Sequence, residues 1–380
     1  MRRLARSGVR AAQALALALG ALVLAGCASG TARPKPAELP PSVDLIGVRQ
    51  VWQLRAAPVG FPLQVHVQGS QVLLAGDDGS LVTLDAASGR ELGRASVGAP
   101  LSAGVGNDGR VSAVVTRANE VVALEGGQVL WRRPLPTQSY TAPLVAGGRV
   151  FVLGADRSLT ALDGGSGARL WHLERPAEPL VLRQAGVLLP VGNTLVAGLA
   201  GRLVGIDPDN GSVRWEAPVA AARGTNDVER LVDLVGGAYR AGTLVCARAF
   251  QAALGCVETR DGRLLWTRAA NGATGIAGDG ERLYGAEADG QVLAWRADTG
   301  DRAWSTERLR WRQLTGPLVL GRSVVVGDST GLVHLLSRAD GTALGRMSTD
   351  GSGIAATPVQ AGNTLVVVTR AGNVFGFRPE

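Results

Sequence analysis

One motif recurs along this chain about every 40 residues, and no other feature limits the fold as strongly. Asp156-Arg-Ser-Leu-Thr-Ala-Leu-Asp163 leads into a Gly-rich turn ending at Gly167 and then Ala168-Arg-Leu-Trp171. Ala200-Gly-Arg-Leu-Val-Gly-Ile-Asp207, a turn ending at Gly211, and Ser212-Val-Arg-Trp215 repeat it, as do residues 251–266 and 289–304. Weaker copies occupy 78–93, 119–131 and 330–345. The Trp-equivalent positions are 93, 131, 171, 215, 266, 304 and 345, separated by 38, 40, 44, 51, 38 and 41 residues. A unit this short cannot bury an apolar face alone. Repetition near this period with strand-like content marks a propeller, whereas helical repeats would need apolar residues every 3.6 positions.

Each copy reads as four strands. In the third, 142–146 is a short strand. Arg149-Val-Phe-Val-Leu-Gly154 is rich in β-branched and large apolar residues, 155–158 is a tight polar turn, and 159–162 alternates. Asp163 and Gly167 bracket the next turn: Asp bonds to local backbone and Gly accepts positive φ. A last strand ends in Trp171 and completes one four-stranded antiparallel blade. A Trp returning in nearly every copy is best explained as packing between neighbouring blades.

Seven complete copies are present, and the carboxyl end supplies three further strands at 358–360, 364–369 and 373–377. The missing strand stands at the other end: Val48-Arg-Gln-Val-Trp52-Gln-Leu54 has the outer-strand pattern with Trp52 in the repeat position. The expectation is an all-β, eight-bladed propeller over residues 49–380, closed by pairing the N-terminal strand with the last blade. Closure removes exposed sheet edges. Seven blades with an unpaired first strand is the alternative.

Arg2, Arg3, Arg6 and Arg10 precede an apolar stretch, 11–25, rich in small residues, which is the layout of a secretory signal over residues 1–26. Leu24-Ala25-Gly26-Cys27 resembles a bacterial lipobox, which implies cleavage before Cys27 and acyl chains on that residue, palmitate among them. Several chains on one residue suffice for stable anchoring. Ala28, rather than Asp, implies sorting to the outer membrane, with the domain on its periplasmic face. Residues 27–48, small and Pro-rich, read as a flexible tether. The signal holds four of the seven surplus positive charges, leaving +3, too weak and unclustered a bias for a nucleic-acid partner.

The Gly-x-Leu-x-x-Leu-Asp…Gly…Trp repeat resembles that of the pyrroloquinoline-quinone dehydrogenase superfamily. Three segments narrow the likeness to the BamB family, lipoproteins of the outer-membrane β-barrel assembly machinery. They are Leu180-Val-Leu182-Arg183, Glu229-Arg230-Leu231-Val232-Asp233 and Gly327-Asp328-Ser329-Thr330-Gly331. Val235 departs from the family, where a second Asp often stands. The resemblance implies a non-catalytic scaffold that docks on periplasmic domains of the barrel-forming subunit, beside its lipoprotein partners. Contact with nascent outer-membrane proteins is left open. It also implies roles at the interface: Arg183 and Arg230 as polar anchors, Leu180 and Leu182 as the apolar centre, and Asp233 pairing with a partner cation or holding Arg230.

The geometry of these segments follows from the propeller alone. Crossings from one blade's outer strand to the next blade's inner strand all emerge on one face. Leu180 to Arg183 fall in the crossing after Trp171, and 226–231 in the one after Trp215, where the long intervals of 44 and 51 residues lie. Enlarged loops on a rigid scaffold are where binding concentrates. The plainer alternative is that Leu180 and Leu182 only cover a blade edge.

No catalytic constellation is visible. There is no Cys-Cys pair, no nucleophile elbow and no phosphate-binding loop. His66, His172 and His334 fall in unrelated repeats without metal-ligand spacing. Neither enzyme activity, a cofactor nor a metal is expected. A periplasmic quinone- or small-ligand-binding propeller is the competing function class. Finally, Cys246 and Cys256 occupy successive strands of one hairpin, where residues can face each other, and are expected to lie close. In an oxidising compartment they form a disulfide or remain two buried thiols.

Overall fold

A computed structural model describes residues 34–175, 180–221 and 231–380. Cys27, Arg230 and the whole signal segment lie outside the described residues. Among the described residues the regular structure is all strand, in eight four-stranded antiparallel sheets. Blades one to seven span 66–96, 106–134, 144–173, 188–218, 234–269, 276–306 and 318–348. Blade eight combines 359–379 with Val48–Arg55, which pairs antiparallel to the last strand, Asn373–Pro379. The ring is closed by both ends of the described chain, as the repeat count predicts.

The repeat owes its regularity to one β-bulge per blade. In each outer strand the residue before the Trp position is unpaired: Val51, Leu92, Leu130, Leu170, Arg214, Leu265, Ala303 and Leu344. A bulge twists a strand and re-aims the following side chain. Here it sets each Trp against the third strand of its own blade, as in Ala161↔Trp171, Cys256↔Trp266 and Gly376↔Trp52. At Gly376 and Gly205 a Cβ would overlap the facing indole, so only glycine fits there.

Among the described residues, five of the six outer-strand indoles also bond forward. Nε1 of Trp131 donates to Gly164 O, of Trp171 to Pro208 O, and of Trp266 to Ala297 O, each in the next blade and 2.9–3.0 Å away. The apolar core is correspondingly divided among the blade junctions. One cluster joins Val366 and Val374 of blade eight to Val72 and Leu84 of blade one. Another joins Val196 and Leu203 of blade four to Val245 and Val257 of blade five. A fully buried Val or Leu contributes about 1.5–3 kcal/mol relative to exposure, so each of these clusters is a substantial source of stability.

The chain before blade eight departs from the expected tether over 27–48. Ala37 N donates to Arg310 O, Arg312 Nη1 donates to Ala37 O at 2.8 Å, and Arg322 Nη2 donates to Leu45 O at 2.8 Å. Leu39 and Ile46 pack on the clusters beside blade seven. Residues 37–47 are therefore a strap bound along blade seven, and the paired strand begins at Val48 rather than residue 49. Backbone bonds and two apolar side chains outweigh the Pro-rich composition that suggested a linker.

Candidate partner-docking site

The crossings into blades four and five are joined by backbone. Gly186 and Val235 form an isolated antiparallel bridge, and Gly236 N donates to Ala185 O at 2.6 Å. Gly186 N also donates to Thr141 Oγ1 at 2.8 Å, tying the pair to blade three. The structure thus brings Leu180, Leu182, Arg183 and Asp233 onto one supported surface. Arg230 lies outside the described residues.

The side chains divide by exposure. Leu180 and Val181 are each 40% exposed. Leu182 is half-buried and shares the lining of a small cleft with Asp233. Arg183 is exposed and stands over the Tyr140 ring, 5.8 Å from its centroid. This cation–π contact holds the guanidinium beside the ring. Arg183 also lines the central funnel of the ring, a cavity of about 700 Å³. The charged side chains among the funnel's described lining are Arg183 and Arg370. No carboxylate, imidazole or thiol lines it.

Asp233 has a partner that the sequence did not suggest. Arg157, in a turn of blade three, places Nε and Nη2 each 2.9 Å from Oδ1 of Asp233. Arg157 is only 6% exposed and has φ +67°. The equivalent turn positions include Gly79, Gly290 and Gly331, so a bulky residue here sits in a conformation that favours glycine. That mismatch was the available signal for Arg157. Val235, at the position of the family's second Asp, is 2% exposed in the inner strand of blade five and paired with Arg248, so this chain buries an apolar group there.

The other two motif positions are internal. Asp328 is fully buried and accepts from Arg312 Nε at 2.6 Å, His334 Nε2 at 2.9 Å, and the backbone N–H groups of Thr330 and Leu332. Burial alone would raise its pKa. The bonds from His334, Arg312 and Thr330 outweigh burial and hold the carboxyl well below the usual range. Cys246 and Cys256 are a directly opposed pair, fully buried and joined as a disulfide. Of the other histidines, His172 bonds Thr160 Oγ1 within blade three, while His66 stands in blade one. Among the described residues no three His, Cys, Asp or Glu side chains gather as metal ligands.

Comparisons with known proteins bear on the fold and the family. Residues 77–306 match the family described as outer membrane protein assembly factor BamB. The chain is 38% identical to the protein of that name from Burkholderia pseudomallei, over 97% of this chain and 98% of the relative. The crystal structure of BamB from Moraxella catarrhalis superposes with a TM-score of 0.79 at 23% identity, covering 87% of this chain and 99% of that one. A quinohemoprotein alcohol dehydrogenase from Comamonas testosteroni shares the propeller fold, with a TM-score of 0.68 at 14% identity over 88% of this chain and 77% of its own. Sequence relatedness over nearly the whole length selects between these two neighbours: the chain belongs to the BamB family of outer membrane protein assembly factors.

Proposed function

We propose that this propeller is a non-catalytic scaffold that docks through its crossing face on a periplasmic domain of the barrel-forming subunit, beside that subunit's lipoprotein partners. Acyl chains on Cys27 hold it at the periplasmic face of the outer membrane. The observation that carries the reading is the pair of crossings fastened by the Gly186–Val235 bridge, with exposed apolar Leu180 and Val181 followed by the exposed Arg183. An apolar centre edged by an Arg is the composition of protein–protein hot spots. Leu182, half-buried, supports the exposed pair from below. Asp233 serves by bracing the surface through Arg157, and Arg230 is retained as an anchor on the motif alone.

Co-purification from solubilised envelope tests the proposal. Wild-type protein should recover the barrel-forming subunit. Arg183→Glu should recover much less while melting at the same temperature, as surface changes usually do. Equal recovery by the variant overturns the assigned surface, and a stoichiometric quinone in the purified protein overturns the function class.

A further inference from the structure

Among the described residues the eight blade junctions are filled at the rim in three different ways. At six of them an indole does it. Trp52, Trp131, Trp171, Trp215, Trp266 and Trp304 lie against a turn glycine of the following blade, where any Cβ would collide with the Trp side chain. At the seventh, between blades seven and eight, the Trp position is Gly345 and the following blade has no such turn, because the two ends of the described chain meet there. The strap takes the space: the carbonyls of Ile46 and Val43 lie 3.6 and 3.9 Å from where a Gly345 Cβ would be. Its backbone pairs there, Leu45 N donating to the carbonyl of Leu344, the bulge residue.

At the eighth junction, between blades one and two, the core is packed but the rim is open. The Trp position is Gly93, and nothing among the described residues comes within 4 Å of a Cβ built on it. The facing turn of blade two is shortened to Gly126 and Gly127. Between them lies a cleft of about 370 Å³ whose floor is Leu73, Leu81, Val82 and Leu124. That volume is within the range of ligand sites. Its two ends, Gly93 and the Gly126–Gly127 turn, are the places that an outer-strand indole and its turn glycine hold at the six filled junctions. Leu92, the bulge residue of this blade, is 41% exposed and corresponds to Leu344, whose carbonyl binds the strap.

We propose that the cleft between blades one and two is a binding site for a tryptophan side chain carried on an extended segment of a partner polypeptide. The six filled junctions define the ring that fits, and the seventh shows that an extended backbone can supply what the outer strand lacks. The site lies on the rim and requires no contact at Leu180 to Arg183.

A short extended peptide, acetyl-Thr-Val-Trp-Val-Thr-amide with 5-fluorotryptophan, tests this by fluorine NMR, which sees the ligand and none of the protein's own indoles. The wild-type propeller should shift and broaden the signal. Gly93→Trp should abolish the effect by supplying the ring internally, and it should melt no lower than wild type, because residue 93 is not in the positive-φ region and its surroundings are open. Leu170→Ser, on a filled junction, should bind like wild type. Unchanged binding by Gly93→Trp, or a lower melting temperature for it, overturns the proposal. Binding of free 5-fluoroindole without binding of the peptide also overturns it, since the occupant would then be a small molecule.

Discussion

Arg157 of blade three holds Asp233 at the entry to blade five, spanning blade four with two contacts of 2.9 Å. The carboxylate is 19% exposed and the guanidinium 7%, so the pair is shielded from the screening that weakens surface ion pairs. It fixes the crossing that leads into the proposed docking surface. In the proposed docking, the part played by Asp233 is to set the shape of its own loop.

Asp233→Ala is therefore expected to lower stability by about 1–3 kcal/mol, the usual loss for a hydrogen bond to a charged group. It should also weaken co-purification. Arg183→Glu should weaken co-purification alone. Calorimetry on both variants separates the two roles. An Asp233→Ala protein that melts like wild type would show that Arg157 contributes nothing to the loop.

Trp171→Ala should cost about 3–5 kcal/mol, since it empties the junction between blades three and four. It also deprives the carbonyl of Pro208 of its indole donor. Gly211→Ala should be destabilising at the same junction, because Gly211 has φ +78° and a Cβ there would stand 2.7 Å from the Trp171 ring. Circular dichroism melts of each variant and of the pair check this, and the pair should lose less than the sum because both disturb one contact.

Acid should attack the ring near its closure. Asp350 accepts from Thr369 and Asn373 of blade eight. Burial raises its pKa, but the bonds from Asn373, Ser352 and Thr369 prevail and bring it down to about 2. Asp328 is lowered further still. An unfolded Asp titrates near about 3.9. A carboxyl depressed in the folded state adds stability that is complete above the unfolded pKa and is lost as pH falls through the folded one. Stability should therefore drop between about pH 4 and about pH 2, and Asp350→Asn should flatten that part of the curve while lowering the plateau. An unaltered acid slope in the variant would remove Asp350 from the account.

Thiol titration of unfolded, unreduced, lipid-free protein should find no free thiol from Cys246 and Cys256. With ten residues of sequence separation, loop-closure entropy predicts that replacing both by Ala lowers stability by about 2–3 kcal/mol. Two titratable thiols per chain would show that the pair functions reduced.

The propeller was readable because its signals are local and repeated. Strands, Gly-containing turns and, in six of the eight outer strands, a Trp recur from blade to blade, and even the displaced strand containing Trp52 obeys the pattern, bulge included. Contacts between distant loops leave no such trace. Arg157 and Asp233 are 76 residues apart and neither spacing nor periodicity links them. The strap over 37–47 was hidden by composition, since Pro and small polar residues describe a free linker and a bound extended segment equally well. The open rim was half legible. Gly93 showed in the sequence as a weak copy of the motif, but its meaning depends on the shortened turn of the neighbouring blade, which only the fold sets beside it.

The strap also has a mechanical consequence. Tension arriving through the chain before Ala37 meets the bonds to Arg310 and Arg312 first, and Arg312 is itself locked to the buried Asp328. The bonds at Leu45 come next, and only then the paired edge Val48–Arg55 that seals the ring. The structure places a cable clamp ahead of its own zipper, so a pull from that side would meet blade seven before it could start to unfasten blade eight.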